Sequence, residues 1–128
     1  MDTLKVGLKN TVEWEVTEAR TTSRGEYKVF STPSMTHLIE ATAHQLALPH
    51  LKPGQGQVGV SITVRHMAAT PMGKKVRAEA DLIGIDRRRL SFKVKVYDEV
   101  EQVGESEHDR FVIELDKYME RLKKKINA

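Results

Sequence analysis

The chain contains no cysteine. Disulfides, thiolate nucleophiles and thiolate metal sites are therefore excluded, and the composition suits a reducing cytoplasm. Aromatic residues make up only 5% of the chain, too few for the stacking platforms that hold single-stranded nucleic acid. Neither charge sign dominates. Lys plus Arg number 21 against 18 Asp plus Glu, a net charge of +3, so a nucleic-acid partner is not expected. Long apolar runs are also missing, which excludes a membrane-spanning helix. The opening MDTLKVGLKN has no apolar stretch of the signal-peptide kind. What remains is 128 residues, 39% hydrophobic and 30% charged, the profile of a single soluble domain over 1–128 with one core.

Periodicity sets the element order. Val12, Trp14 and Val16 alternate with Glu13 and Glu15, the pattern of a half-buried strand. Thr21 to Glu26 is polar, holds Gly25 and reads as a loop, and Tyr27 to Phe30 reads as a short strand or gate. Thr32 as N-cap and Pro33 at the first helical position predict a helix. Met35, Leu38, Ile39, Thr42 and Leu46 share one of its faces, and Pro49 and Pro53-Gly54 end it. From Gln57 the period becomes two. Val58, Val60, Ile62, Val64 and then His66 are expected on one face. Strands follow around Val76–Leu82, Leu90–Val96 and Val103–Leu115, in hairpin-like succession. Asp116 is the expected cap of a short terminal helix with Tyr118, Met119 and Leu122. One strand, one long helix and four further strands form an α+β antiparallel arrangement. A sheet wrapped around one central helix is the hot-dog architecture.

Three residues stand out for chemistry, and each has a plain structural reading. His66 ends an apolar alternation, as a core or strand-end histidine does, yet an imidazole there can also move a proton near neutral pH. Glu40 borders the small residues Thr36, Ala43 and Ala47; it reads as a solvated helix glutamate, or as a carboxylate where another backbone approaches. Thr32 reads as a cap, at a helix end that offers backbone donors to an oxyanion.

Other patterns are weaker. His37, Glu40 and His44 could be read as a helical metal site, but paired helical ligands more often stand at i, i+4 and the two histidines are seven apart, so no metal is expected. Gly54-Gln55-Gly56 lacks the Lys-Ser/Thr of a phosphate loop, and no Gly-x-Ser-x-Gly elbow occurs. Arg87-Arg88-Arg89 reads as a solvated turn, or as a contact to phosphates.

Together the segments VFSTPSMTHLIEATA, LKPGQGQVGVSITVRHMAATPMG and RRLSFKVKVYDEVEQVGESEHDRFVIELDK resemble the fluoroacetyl-CoA thioesterase family of hot-dog enzymes. The similarity runs from about Val29 to Lys117. That family carries a threonine ahead of the central helix, a glutamate eight positions on and a histidine twenty-six beyond, positions held here by Thr32, Glu40 and His66. Its glycine on the active-site strand matches Gly59, and an HxR pattern matches His108 and Arg110.

The resemblance implies an acyl-CoA thioesterase, a homodimer with active sites at the subunit interface, and no cofactor. It makes Thr32, Glu40 and His66 catalytic. Gly59 and Arg110, on the matched motifs, and Arg87 and Arg88, on their charge, are the expected substrate contacts. The chain departs from the family in lacking phenylalanine across Thr21–Glu26 and in placing Pro33 after the threonine, so a preference for the fluorinated acyl group is not expected. A non-catalytic acyl-CoA or partner-binding module is the alternative from another class. An enoyl-CoA hydratase is less favoured, because no histidine has an Asp five residues before it.

Overall fold

A computed structural model describes residues 3–128. Its elements are β1 (Lys9–Glu15), β2 (Thr21–Arg24), β3 (Tyr27–Phe30), α1 (Thr32–Ala47), β4 (Gln55–His66), β5 (Lys75–Asp86), β6 (Arg89–Tyr97), β7 (Gln102–Glu114) and α2 (Leu115–Ile126). Five strands form one antiparallel sheet in the order β1-β5-β6-β7-β4, and β2 pairs with β3 in a separate hairpin. The α1 helix lies against this sheet, burying Met35, Leu38, Ile39, Thr42, Ala43, Leu46 and Ala47. Val76, Ala78, Ala80 and Leu82 of β5 and Leu90, Phe92, Val94 and Val96 of β6 complete the core. This is the hot-dog fold.

Only β5, β6 and β7 form the expected run of hairpins. The β4 strand does not pair with β5; it crosses to the far edge and pairs with β7, while β1 pairs with β5. One edge of β4 is therefore free of a strand partner among the described residues.

Four local expectations are corrected. Thr21–Glu26 is not a loop, because Thr21–Arg24 forms β2 opposite β3 and only Gly25, at φ +60°, and Glu26 turn the chain. The helix cap is Ser31, whose Oγ accepts the Ser34 N–H at 3.2 Å. Thr32 is already helical, and its hydroxyl is free for other work. The α2 helix begins at Leu115 after an uncapped Glu114, with Asp116 inside its first turn.

The fourth correction concerns β4. A β-bulge shifts the register between Gly59 and Ser61, so Val58 lies opposite the exposed Phe111 on the outer side and Val60 also turns outward, 44% exposed. Gln57, Gly59, Ile62, Val64 and His66 then lie opposite Val112, Arg110, His108, Ser106 and Gly104, all buried. The bulge thus brings both Gly59 and His66 to the helix-facing side, which strict alternation does not allow.

Candidate active site

The start of α1 and the end of β4 meet at one point. Thr32 Oγ1 lies 2.8 Å from Nδ1 of His66. Both residues line an open cleft of about 780 Å³, together with Thr21, Thr22 and Arg24 of β2 and Phe30 of β3. Nε2 of His66 is buried and has no hydrogen-bond partner among the described residues. Burial holds the His66 pKa below the ordinary histidine value, opposed by the Ala68 backbone. The fold therefore favours the neutral ring.

The first turn of α1 offers fewer backbone donors than a helix end usually does. Pro33 has no N–H, Ser34 N–H is taken by Ser31, and Met35 N–H donates to the Ser31 carbonyl. Thr32 N–H is the donor that remains without a backbone acceptor among the described residues. Hydroxyl, N–H and imidazole thus converge at a single residue pair.

Glu40 is not part of this cluster within the chain. Eight residues of helix separate it from Thr32, about 12 Å of rise. Its carboxylate lies instead over Gly59. A Cβ at Gly59 would sit 3.1 Å from Glu40 Oε2, 3.3 Å from His108 Cε1 and 3.6 Å from Arg110 Nη1. The bare Gly59 backbone leaves a small slot ringed by a carboxylate, an imidazole and a guanidinium. Among the described residues, the Glu40 carboxylate has no hydrogen-bond or ion-pair partner.

Arg110 is 5% exposed, so direct contact to a bulky ligand is restricted to the slot. Its Nε donates to Gln57 Oε1 at 2.7 Å, Nη1 to His108 Nε2 at 3.2 Å and Nη2 to His44 Nδ1 at 3.3 Å. His108 is 1% exposed, with Nδ1 2.9 Å from the Ser61 carbonyl at the bulge. Its pKa is held low first by burial and then by Arg110, against the Ser61 carbonyl, Glu40 and Asp109. His44 is held low by burial and by Arg110. Burial also depresses Arg110, opposed by the charge of Glu40.

Arg87 and Arg88 form the β5–β6 turn, with Arg87 at φ 56°. With Asp86, Arg89 and Phe111 they border a surface depression of about 480 Å³. Phe111 pairs with Val58 and Gly104 with His66, so the turn lies roughly 23 Å along the sheet from His66. It is far from the Thr32–His66 pair and adjacent to the Arg110 end.

His37 does not join Glu40 and His44 around a common point; its ring stacks edge-on to Trp14 at 5.1 Å. Among the described residues, no group of three or more His, Asp or Glu is placed to hold a metal ion. No helix among them is long and apolar enough to cross a membrane.

Sequence reasoning did not single out Gln57 or gather His44 into the site. Gln57 alternates with Gly59 on β4, and only the bulge, which alternation in the sequence does not reveal, turns it toward the helix. His44 becomes informative only once Arg110 is known to point at α1.

Comparison with known proteins places these residues in context. Residues 12–116 match the profile of the fluoroacetyl-CoA-specific thioesterases. A fluoroacetyl-CoA thioesterase from Streptantibioticus cattleyicolor is 39% identical over 101 residues, covering 79% of this chain and 73% of that protein. A solved fluoroacetyl-CoA thioesterase structure superposes with a TM-score of 0.87 at 34% identity, covering 97% of this chain and 98% of the other. A Thermus thermophilus thioesterase superfamily member shares the fold, with a TM-score of 0.89 at 24% identity over 100% of this chain and 99% of its own.

Proposed function

The chain belongs to the fluoroacetyl-CoA-specific thioesterase family, and from that premise we propose that it hydrolyses small acyl-CoA thioesters at a site completed by a second subunit. It is an acyl-CoA thioesterase by kinship. The observation that carries the site is the Thr32–His66 contact of 2.8 Å in an open cleft, with the Glu40 carboxylate set apart over Gly59.

A two-fold dimer reconciles the two clusters. The free edge of β4 is the element with unpaired backbone donors and acceptors, and edge strands invite pairing. Pairing β4 with its copy antiparallel runs the two strands in opposite directions, so the Gly59 end of one approaches the His66 end of the other. Glu40 of one subunit then faces Thr32 and His66 of the partner subunit across the cleft.

In that arrangement the thioester oxygen accepts from Thr32 N–H as negative charge develops. The Thr32 hydroxyl and His66 orient the acyl carbonyl. The Glu40 carboxylate either adds to the carbonyl carbon, giving an anhydride that water opens, or takes a proton from the water that adds. In both routes the C–S bond breaks and the thiolate of coenzyme A leaves, to be protonated by way of His66. The acid and free coenzyme A are the products, and no redox or metal step is required for the balance.

Arg87 and Arg88 are the proposed contacts to the coenzyme A phosphates, because their turn lies at the Glu40 end of the sheet and carries exposed guanidinium groups. A cysteine-free chain acting on coenzyme A esters suits the cytoplasm. Thiol release from acetyl-CoA, followed for the wild type and Glu40→Gln, tests the function. Wild-type release that is lost in the variant supports it; no release from any acyl-CoA, or full release by Glu40→Gln, rejects it.

A further inference from the structure

We propose that His44, Gln57 and His108 are positioning residues that clamp the Arg110 guanidinium beside Glu40, supplying a counter-charge without tying up the carboxylate. The inference rests on Glu40 being the reacting carboxylate.

The hydrogen-bond chemistry leaves little freedom. A guanidinium only donates, so every ring nitrogen facing it must accept. His108 Nε2 accepts from Arg110, which puts the ring proton on Nδ1, where it donates to the Ser61 carbonyl. His44 Nδ1 likewise accepts, so its proton sits on Nε2. Gln57 is fixed at both ends, since its Nε2 donates to the His44 carbonyl at 3.0 Å while its Oε1 takes the Arg110 Nε–H. Three neutral acceptors, from α1, β4 and β7, thus each hold a different nitrogen of one buried cation.

This pattern is unusual for a buried charge. A buried guanidinium is commonly matched by a carboxylate in a bidentate pair. Glu40 is near enough for its charge to favour the Arg110 cation, yet it forms no ion pair with it. A fork-to-fork pair would occupy both carboxylate oxygens and remove their lone pairs from chemistry. The clamp gives Glu40 a nearby cation while leaving both oxygens to water or the acyl carbon. It also leaves two of the five N–H donors of Arg110 free of these acceptors.

The β-bulge is the origin of the device. By turning Val60 outward it sets the Ser61 carbonyl under His108 and keeps Gln57 and Gly59 on the helix side. The sequence cost is one residue, and the gain is a fixed imidazole tautomer at 1% exposure.

The test uses pairs of variants that keep or remove an acceptor. His44→Asn retains a side-chain oxygen near the place of Nδ1, whereas His44→Leu has the same branching and no acceptor; Gln57→Met removes the other half-buried acceptor. His44→Leu and Gln57→Met are expected to lower kcat roughly 10- to 100-fold with little change in KM, as misplacement of a catalytic environment does. His44→Asn should recover most of that loss. In an Arg110→Met background, His44→Leu should cost nothing further. Unchanged kcat in both acceptor-less variants, or a full additional loss in the Arg110→Met background, overturns the clamp.

A second readout does not need activity. The Arg110 Nε–H proton should give a slowly exchanging NMR signal in the wild type that disappears in Gln57→Met. Exchange at solvent rates in the folded wild type overturns the clamp even if no acyl-CoA is hydrolysed. A protected signal in an enzyme that hydrolyses none rejects the functional reading and keeps the clamp.

Discussion

The hydroxyl of Thr32 and Nδ1 of His66 are 2.8 Å apart, while the helix cap that Thr32 was placed to supply comes from Ser31. The two neighbouring hydroxyls therefore separate function from stability. Ser31→Ala should lower stability by about 1 kcal/mol, the usual worth of a cap, and leave kcat nearly unchanged. Thr32→Val should do the reverse, cutting kcat while shifting stability by no more than about 0.5 kcal/mol. Thermal unfolding and thiol-release kinetics on the two variants check this, and Thr32→Ser should retain most activity.

Gly59 gives a second test of the Glu40 site. Its φ lies outside the left-handed region, so alanine fits the backbone, but the new methyl would meet Glu40 Oε2 at 3.1 Å and His108 Cε1 at 3.3 Å. Gly59→Ala should fold and bind coenzyme A, yet lose much of kcat because the carboxylate is displaced. Glu40→Gln should lose more, about 10²–10⁴-fold, the range for a lost general base. Crystal structures of both variants would show whether the carboxylate or its amide replacement has moved.

A third expectation concerns pH. His44, His66 and His108 all have folded-state pKa values below the ordinary histidine value, with burial the first cause in each. Arg110 faces both His44 and His108, while Glu40 and Asp109 face His108 with the opposite sign. The folded state favours the neutral rings. Their contribution is fully present above the unfolded value of about 6.5 and is lost as pH falls through that value toward the lower folded ones. Melting temperature should therefore drop on acidification from about pH 8 to about pH 5, and less steeply in His108→Gln. A rise over that interval would contradict the assignment.

Much of the fold was legible because its signals are local. Thr32-Pro33, the Met35–Leu46 stripe and the alternation of β5 and β6 each depend on a few adjacent residues. The strand order was not, because the β4–β7 and β1–β5 pairings join segments far apart in sequence. Val58 and Val60 lie on the other face for a related reason: an extra residue in one strand leaves the period of two intact on either side and shifts only its phase. For the site, the spacing of Thr32, Glu40 and His66 carried the resemblance, but not the fact that only Thr32 and His66 meet within one subunit. The hairpin was hidden because Thr21–Arg24 is polar on both faces, being half-buried or exposed throughout.

The hairpin bears on substrate choice. Across the segment that lacks phenylalanine, β2 lines the cleft with Thr21, Thr22 and Arg24. Tyr27 at the turn is 66% exposed and Phe30 belongs to the core at 1%, so neither closes the cleft as a mobile aromatic. Discrimination of a fluorine from a hydrogen on the acyl group should then be weak, since one missing apolar contact forfeits only about 1–3 kcal/mol. Kinetics with acetyl-, fluoroacetyl-, butyryl- and palmitoyl-CoA should show modest, similar turnover of the small esters. A maximum at palmitoyl-CoA would refute the small site, and a large fluoroacetyl preference would refute the open gate.

The shared site is tested most directly by subunit complementation. Glu40→Gln and His66→Ala proteins are each prepared as homodimers, verified by light scattering, then mixed, exchanged and assayed for thiol release from acetyl-CoA. Each homodimer alone should be nearly inactive. In a mixed dimer one of the two sites combines the intact Glu40 of one subunit with the intact His66 of the other, so random exchange should restore about a quarter of wild-type activity. Absence of any recovery despite demonstrated exchange, or full activity in a monomeric protein, would contradict a site built across two subunits.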